Sequence, residues 1–325
     1  MIKRDYSERE RIWLWLSDVL GTNVAVIDKL LFLNDGPEQL FEDVKKGFPI
    51  KAPEKIGKEQ WSNLFKTCSE SRIDTLIEKL ISHNVYAVTR DSSDYPELLR
   101  EIYDPPAVLY VKGRLPERID LPIAVVGSRK CSDYGKQMAA YFGKELAAHG
   151  ACVVSGLAVG CDSEAAYGAL KNTDKDCPTI AVLGCGVNVV YPYSSKDLYE
   201  AIADRGAVIS EFKIDRKPTK ESFPQRNRII SGISLGVLVI EAGYNSGTRI
   251  TTDFAHEQGR DVFAVPGRIT DLNSVGTNGM IKAGEAKPVF DVDDILYEYG
   301  VHYIRSASPV VRFDVTKLDL EQRKV

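Results

Sequence analysis

The chain has 325 residues, enough for two folded units, and its hydrophobic (44%) and charged (27%) fractions are those of an ordinary globular protein. A net charge of −4 and a pI near 5.7 exclude a uniformly basic coat but leave room for a local basic groove. No apolar run approaches the roughly 20 residues that cross a bilayer, and the residues from Met1 to Arg9 lack an apolar signal core, so a cytoplasmic protein without a membrane partner is expected.

Residues 1–84 read as a small all-helical N-terminal domain of four or five short helices. Arg11 to Leu16 continue into Val19 and Leu20. A second apolar helix over 24–33 is stopped by Asn34-Asp35-Gly36-Pro37, and helical periodicity returns at 60–65 and 73–81. The main domain is placed at 85–300. A hinge containing Tyr95-Pro96 and Pro105-Pro106 carries a short strand into it. From Ile123 onward, strand, glycine turn and helix repeat. Strands are predicted at 123–126, 152–155, 179–183, 208–209, 236–240 and 262–265. Helices are predicted at 134–149, 163–170, 196–204, 226–231 and 249–258. Apolar strands alternating with helices predict an α/β fold: a Rossmann-like parallel sheet with helices on both faces. Residues 301–325 form a tail too short for a further domain.

The six cysteines include no CxxC pair and the four histidines show no ligand spacing. Reduced thiols and no metal are therefore expected. The turn after the first strand of the repeat is not GxGxxG, and Gly184-Cys185-Gly186 leads into Val187-Asn188-Val189 instead of a helix start. No Walker loop is present. No cofactor is predicted.

What the strand ends do carry is glycine and small polar residues. They read Gly127-Ser128-Arg129, then Ser155-Gly156 running to Gly160 and Asp162, then Gly184-Cys185-Gly186, and finally Ser246-Gly247-Thr248. In open parallel sheets this edge binds ligands, and bare amides at helix starts favour anions. Lys213, Arg216, Lys217, Lys220, Arg226 and Arg228 crowd one segment against only Asp215 and Glu221. Within it, Phe223-Pro224-Gln225-Arg226-Asn227-Arg228 combines a ring that stacks on a base with guanidiniums that grip phosphate, which points to single-stranded nucleic acid. Asp162, Glu211 and Glu241 also lie near strand ends. With no nucleophile–base pair beside them, they are expected to hold loop amides and an arginine and to do no acid–base chemistry.

Taken together, these blocks resemble the DprA/Smf family of DNA-processing proteins over about 95–294. The resemblance rests on Gly127-Ser128-Arg129, Ser155-Gly156-x-Ala158-x-Gly160-x-Asp162, Gly184-x-Gly186 with Tyr191-Pro192, Phe223-Pro224-x-Arg226-Asn227-Arg228-x-Ile230, and Glu241-Ala242 with Ser246-Gly247-Thr248. It implies a non-enzymatic, usually homodimeric protein that binds and protects single-stranded DNA and passes it to the RecA recombinase in natural transformation. It also implies roles for particular residues. Arg129 would grip phosphate, amides near Gly127 and Gly156 would line a nucleotide pocket, and Phe223 would stack on a base with Lys220 and Arg226 on the adjoining backbone. With Ser128, Ser155, Gly160, Asn227, Arg228, Ser246, Gly247 and Thr248, these make up the candidate DNA-binding set.

The chain departs from the family at three places. Gly21-Thr22-Asn23 stands where a GxG hairpin of the helix-hairpin-helix type is usual, so the N-terminal domain is a degenerate version of that motif or a SAM-like one. Thr251-Thr252 replaces Thr-Ala, and the tail leaves no room for a winged helix. An enzymatic alternative comes from the nucleotide phosphoribohydrolases, whose glycine-rich signature resembles Gly243 to Thr248. In that signature Thr251 stands at the place of the catalytic glutamate.

Overall fold

The structure is a computed structural model, which describes residues 4–174, 176–244 and 246–301. Ser7 opens the first helix with a reciprocal cap. Its hydroxyl accepts from the Glu10 amide, and the Glu10 carboxylate accepts from the Ser7 amide at 2.9 Å. That helix, α1 (Glu8–Leu20), is followed by α2 (Val24–Leu33), α3 (Pro37–Lys46), α4 (Lys58–Thr67) and α5 (Glu70–Ser82). α1 buries Trp13, Leu14, Trp15 and Leu16 because α3, α4 and α5 pack around it, with Trp15 edge-on to Phe41 at 5.2 Å. The predicted stop at Asn34 to Pro37 is a sharp helix–helix turn. Asp35 and Gly36 take positive φ, and Pro37 occupies the first turn of α3, where its missing N–H costs nothing.

Among the described residues nine strands form one sheet: β1 (Tyr86–Thr89), β2 (Val108–Gly113), β3 (Pro122–Val126), β4 (Cys152–Ser155), β5 (Thr179–Val182), β6 (Ala207–Ser210), β7 (Gly236–Val239), β8 (Asp261–Ala264) and β9 (Lys287–Pro288). Their order is β1-β2-β6-β5-β4-β3-β7-β8-β9. From β6 to β9 every pairing is parallel, with Ala124 opposite both Val154 and Val237. β1 and β2 extend the sheet in antiparallel fashion, Ala87 opposite Tyr110 and Tyr110 opposite Ser210. β1 is not among the predicted strands, because Tyr86 to Thr89 lack the glycine turn that marks the strands of the repeat.

The helices of the main unit are α6 (Glu97–Arg100), α7 (Asp133–Ala148), α8 (Cys161–Leu170), α9 (Lys196–Arg205), α10 (Ser222–Gly232), α11 (Thr248–Glu257), α12 (Val275–Ala283) and α13 (Asp293–Leu296). Phe142 and Leu146 of α7, with Ala165 of α8, cover one sheet face against Ile123, Val125, Val153 and Leu238. Ile229 and Ile230 of α10 cover the other face against Val126, Val154, Val182 and Val239. The fold is thus α/β and Rossmann-like, preceded by a helical unit. That unit is joined to the sheet edge through shared apolar packing, with the Tyr6 hydroxyl accepting from the Ala87 amide at 2.8 Å and Ser17 within 3.2 Å of the Tyr110 hydroxyl.

All six cysteines are free. Among the described residues no helix is long and apolar enough to cross a membrane. The predicted C-terminal tail lies, from residue 302, outside the described residues.

Candidate nucleic-acid interface

The chain leaves β3 toward β4 on one side and later returns to β7 on the other, so the strand order reverses at β3. Crevices open beyond strand carboxyl ends at such reversals. Here an open cleft of about 690 Å³ lies between the loop after β3 and the first turns of α8, α10 and α11. Its walls include Gly127, Ser128, Arg129, Lys130, Lys220, Phe223, Asn227, Ser246, Gly247 and Thr248, together with Tyr191. Three helix N-termini face one volume, and the positive ends of their dipoles favour negative charge there.

The loop after β3 is held by Glu241. Its carboxylate accepts from the Ser132 amide at 2.8 Å and the Ser132 hydroxyl at 2.5 Å, while its carbonyl accepts from the Ser128 amide at 2.8 Å. Asp162 accepts from the Gly156 amide at 2.9 Å. Burial raises the Asp162 carboxyl from its ordinary value, opposed by the nearby Arg226 charge and by the Gly156 and Ala158 amides. Glu211 is paired with Arg228. All three carboxylates therefore have the holding roles expected of them.

Phe223 is half-buried, with Tyr191 5.6 Å away at a 32° tilt and the Arg129 guanidinium 5.5 Å from its ring centroid. Arg129, Lys130 and Lys220 have no carboxylate within 4.0 Å among the described residues. A ring and three unneutralised cations thus share one cleft.

Several glycines do a different job from the one their sequence positions suggest. A Cβ on Gly156 would meet the Arg226 guanidinium at 2.5 Å, and one on Gly127 would meet the Cys161 sulfur at 2.6 Å. Gly160 has φ +88°, and a Cβ there would run into the Ser128 carbonyl. These residues are glycine because loop packs on loop. Gly247 by contrast has open space around it.

The structure separates the two arginines of the motif from the rest of the set. Arg226 is almost fully buried in the cleft floor, donating to the Gly156 carbonyl at 2.8 Å and, closer still, to the Val182 carbonyl. Burial draws its guanidinium down to about 10, against the pull of Asp162, so it stays charged at neutral pH. Arg228 does not reach the cleft at all. It is buried on the other side of α10, donating to both Glu211 oxygens at 2.9 and 2.8 Å and to Asp104 at 2.7 Å. The reason is helical: two residues are 200° of rotation, whereas Asn227, four residues from Phe223, returns to the same face. Ser155, Gly156 and Gly160 are not among the residues lining the cleft, and the fully buried Ser155 hydroxyl has no hydrogen-bond partner among the described residues. Lys130 and Tyr191 line the cleft without belonging to the predicted set. Their signals were adjacency to Arg129 and an aromatic just past a glycine turn.

A family model described as DNA recombination-mediator protein A matches residues 86–300. The chain belongs to this DprA/Smf family. Protein Smf of Escherichia coli is 40% identical over 227 residues, which make up 69% of this chain and 60% of the length of that relative. Protein Smf of Synechocystis is 33% identical over 300 residues, 90% of this chain and 73% of that protein. The X-ray structure of DprA from Streptococcus pneumoniae superposes with a TM-score of 0.73 at 34% identity, covering 92% of this chain and all of that one. DNA processing protein A from Helicobacter pylori, whose structure is described for its single-stranded DNA binding mode, matches with a TM-score of 0.59 at 28% identity over 67% of this chain and 97% of that one. The DprA/Smf assignment and the Rossmann-like core both agree with the sequence reading.

Proposed function

We propose that the cleft binds single-stranded DNA, holds it without cutting it, and that the protein acts as a homodimer that delivers the strand to the RecA recombinase. One observation carries the reading: Phe223 lies half-open beside Arg129, Lys130 and Lys220, none of them ion-paired among the described residues, at the meeting of three helix N-termini. A ring in a concave cleft needs the face of an unpaired base, which a duplex keeps stacked, and cations around it suit the adjoining phosphates. The single-stranded DNA mode described for the Helicobacter pylori relative supports the same ligand class. The holding roles of Asp162, Glu211 and Glu241 support binding without chemistry. Thr251, where a phosphoribohydrolase would place its glutamate, is buried. The description of the family as recombination mediators supports delivery to a recombinase such as RecA.

The test is fluorescence anisotropy with labelled single- and double-stranded oligonucleotides across a salt series. Preference for the single strand, weakening as salt rises, is expected. Equal affinity for both, or single-strand affinity unchanged in both Arg129→Ala and Phe223→Ala, overturns the reading. Release of free base from nucleoside monophosphates would establish the enzymatic alternative instead. Dimer mass by light scattering and RecA filament formation on coated strands test the remaining parts.

A further inference from the structure

Two loops run outward from the cleft, residues 183–195 after β5 and 211–221 after β6, and the structure locks them together. The Gly186 amide donates to the Arg216 carbonyl at 2.8 Å. Asn188 and Asp215 exchange two hydrogen bonds, both 2.8 Å. Gly186 has to be glycine for this approach, since a Cβ there would lie 2.7 Å from the Lys213 carbonyl and 2.9 Å from the Arg216 amide. The result is a rigid platform built from two connections that would otherwise move independently.

The platform is positively charged where it faces solvent. Of its acids, Glu211 is taken by Arg228 and Asp215 by Lys79 at 2.8 Å, which leaves Glu221 at the far end exposed, and Lys213 lies 3.6 Å from Asp18. Arg216 and Lys217 have no carboxylate within 4.0 Å among the described residues; Arg216 is steadied by the Phe212 ring, 5.3 Å away. The same platform carries two exposed tyrosines, and Phe223 of α10 borders it. Phe223 is half-buried, Tyr191 beside it is 45% exposed, and Tyr193, two residues further on, is 75% exposed. A single exposed tyrosine is ordinary on any surface. One that comes two residues after a ring lining the cleft, on a platform that also carries Arg216 and Lys217, is placed to serve as a stacking step.

Building on the reading of the cleft as a single-strand site, we infer that the strand continues past Phe223 and Tyr191 onto a second station, where Tyr193 stacks on a base and Arg216 and Lys217 hold adjoining phosphates. The path then leads toward α5 of the helical unit, to which Lys79 and Asp215 tie the platform. The protein thus covers more nucleotides than the cleft alone can hold.

The experiment measures anisotropy of the full chain with labelled oligothymidylates of about 5 and about 15 nucleotides, lengths that bracket single-strand site sizes. Wild type should favour the longer strand beyond the statistical gain of extra registers. Tyr193→Ala and Lys217→Glu should each weaken the longer strand about 5-fold or more and leave the shorter one unchanged, with Tyr193→Phe restoring wild-type behaviour. Unchanged long-strand affinity in both variants overturns the second station while leaving the cleft reading intact. Equal loss on both lengths also overturns it, by placing Tyr193 in the first site. If the wild-type protein bound neither length, both readings would fall together.

Discussion

The mouth of the cleft and the inner side of α10 contain the same residue types and use them in opposite ways. At the mouth, Arg129, Lys130 and Lys220 face solvent with no carboxylate within 4.0 Å among the described residues. On the inner side, Arg228 makes a bidentate pair with Glu211, while in the cleft floor Arg226 is sunk among carbonyls. What a guanidinium does is decided before any ligand arrives, by whether the fold has already desolvated and paired it. An exposed cation keeps its charge available for phosphate. A buried and paired one is committed to holding the helix that carries Phe223.

The sharpest way to break this comparison is Arg228→Ala. It would leave Glu211 buried without its partner, so a loss of about 3–5 kcal/mol of stability is expected in chemical denaturation. Strand affinity of the fraction that remains folded should change little, and a large selective affinity loss at unchanged stability would put Arg228 in the binding site after all. Phe223→Ala should do the reverse, costing about 1–3 kcal/mol of strand binding in anisotropy titrations, with at most a small shift in denaturation midpoint. A smaller effect is expected for Lys220→Gln. It should lower affinity for all sequences alike and reduce the slope of log affinity against log salt by about 0.7, the value of one lost phosphate contact on a single strand.

The smallest effect extends the contrast to the helical unit, where Arg4 pairs with Glu10 and Asp94. Burial opposes ionisation of Glu10, but Arg4, the Ser7 amide and the Ser92 and Ser7 hydroxyls together draw it from 4.5 down to about 2. A carboxyl depressed in the folded state lends stability that is full above its unfolded value and is lost as pH falls through its folded value. The melting temperature should therefore decline between about pH 4.5 and pH 2, and Glu10→Gln should flatten that part of the profile.

Much of the architecture could be read from local pattern. Runs such as Gly236 to Ile240 are apolar on every residue because both faces of a parallel strand are covered, and each stands between a glycine turn and a helix, so the α/β class and the ligand-binding edge follow. The face shared by Phe223 and Asn227 does not follow, because the predicted helix begins at 226 whereas α10 begins at Ser222. Local pattern could not say whether a glycine serves a ligand or a neighbouring loop. At Gly127, Gly156, Gly160 and Gly186 the answer came from backbone or side chains distant in sequence. Nor could it show β1, which exists only because β2 lies beside it.

The basic segment illustrates the limit most clearly. By itself the sequence determined that six cations and a ring would be concentrated beside one strand end, since composition and helical period are properties of neighbours along the chain. Only the tertiary structure decided which of those cations stay available. Arg228 meets Glu211, 17 residues away, and Asp104, 124 residues away, because sheet order and helix docking bring them together. Charge in water is cheap to leave unpaired and charge in the interior is not, and no stretch of sequence states which side of that boundary a residue will occupy.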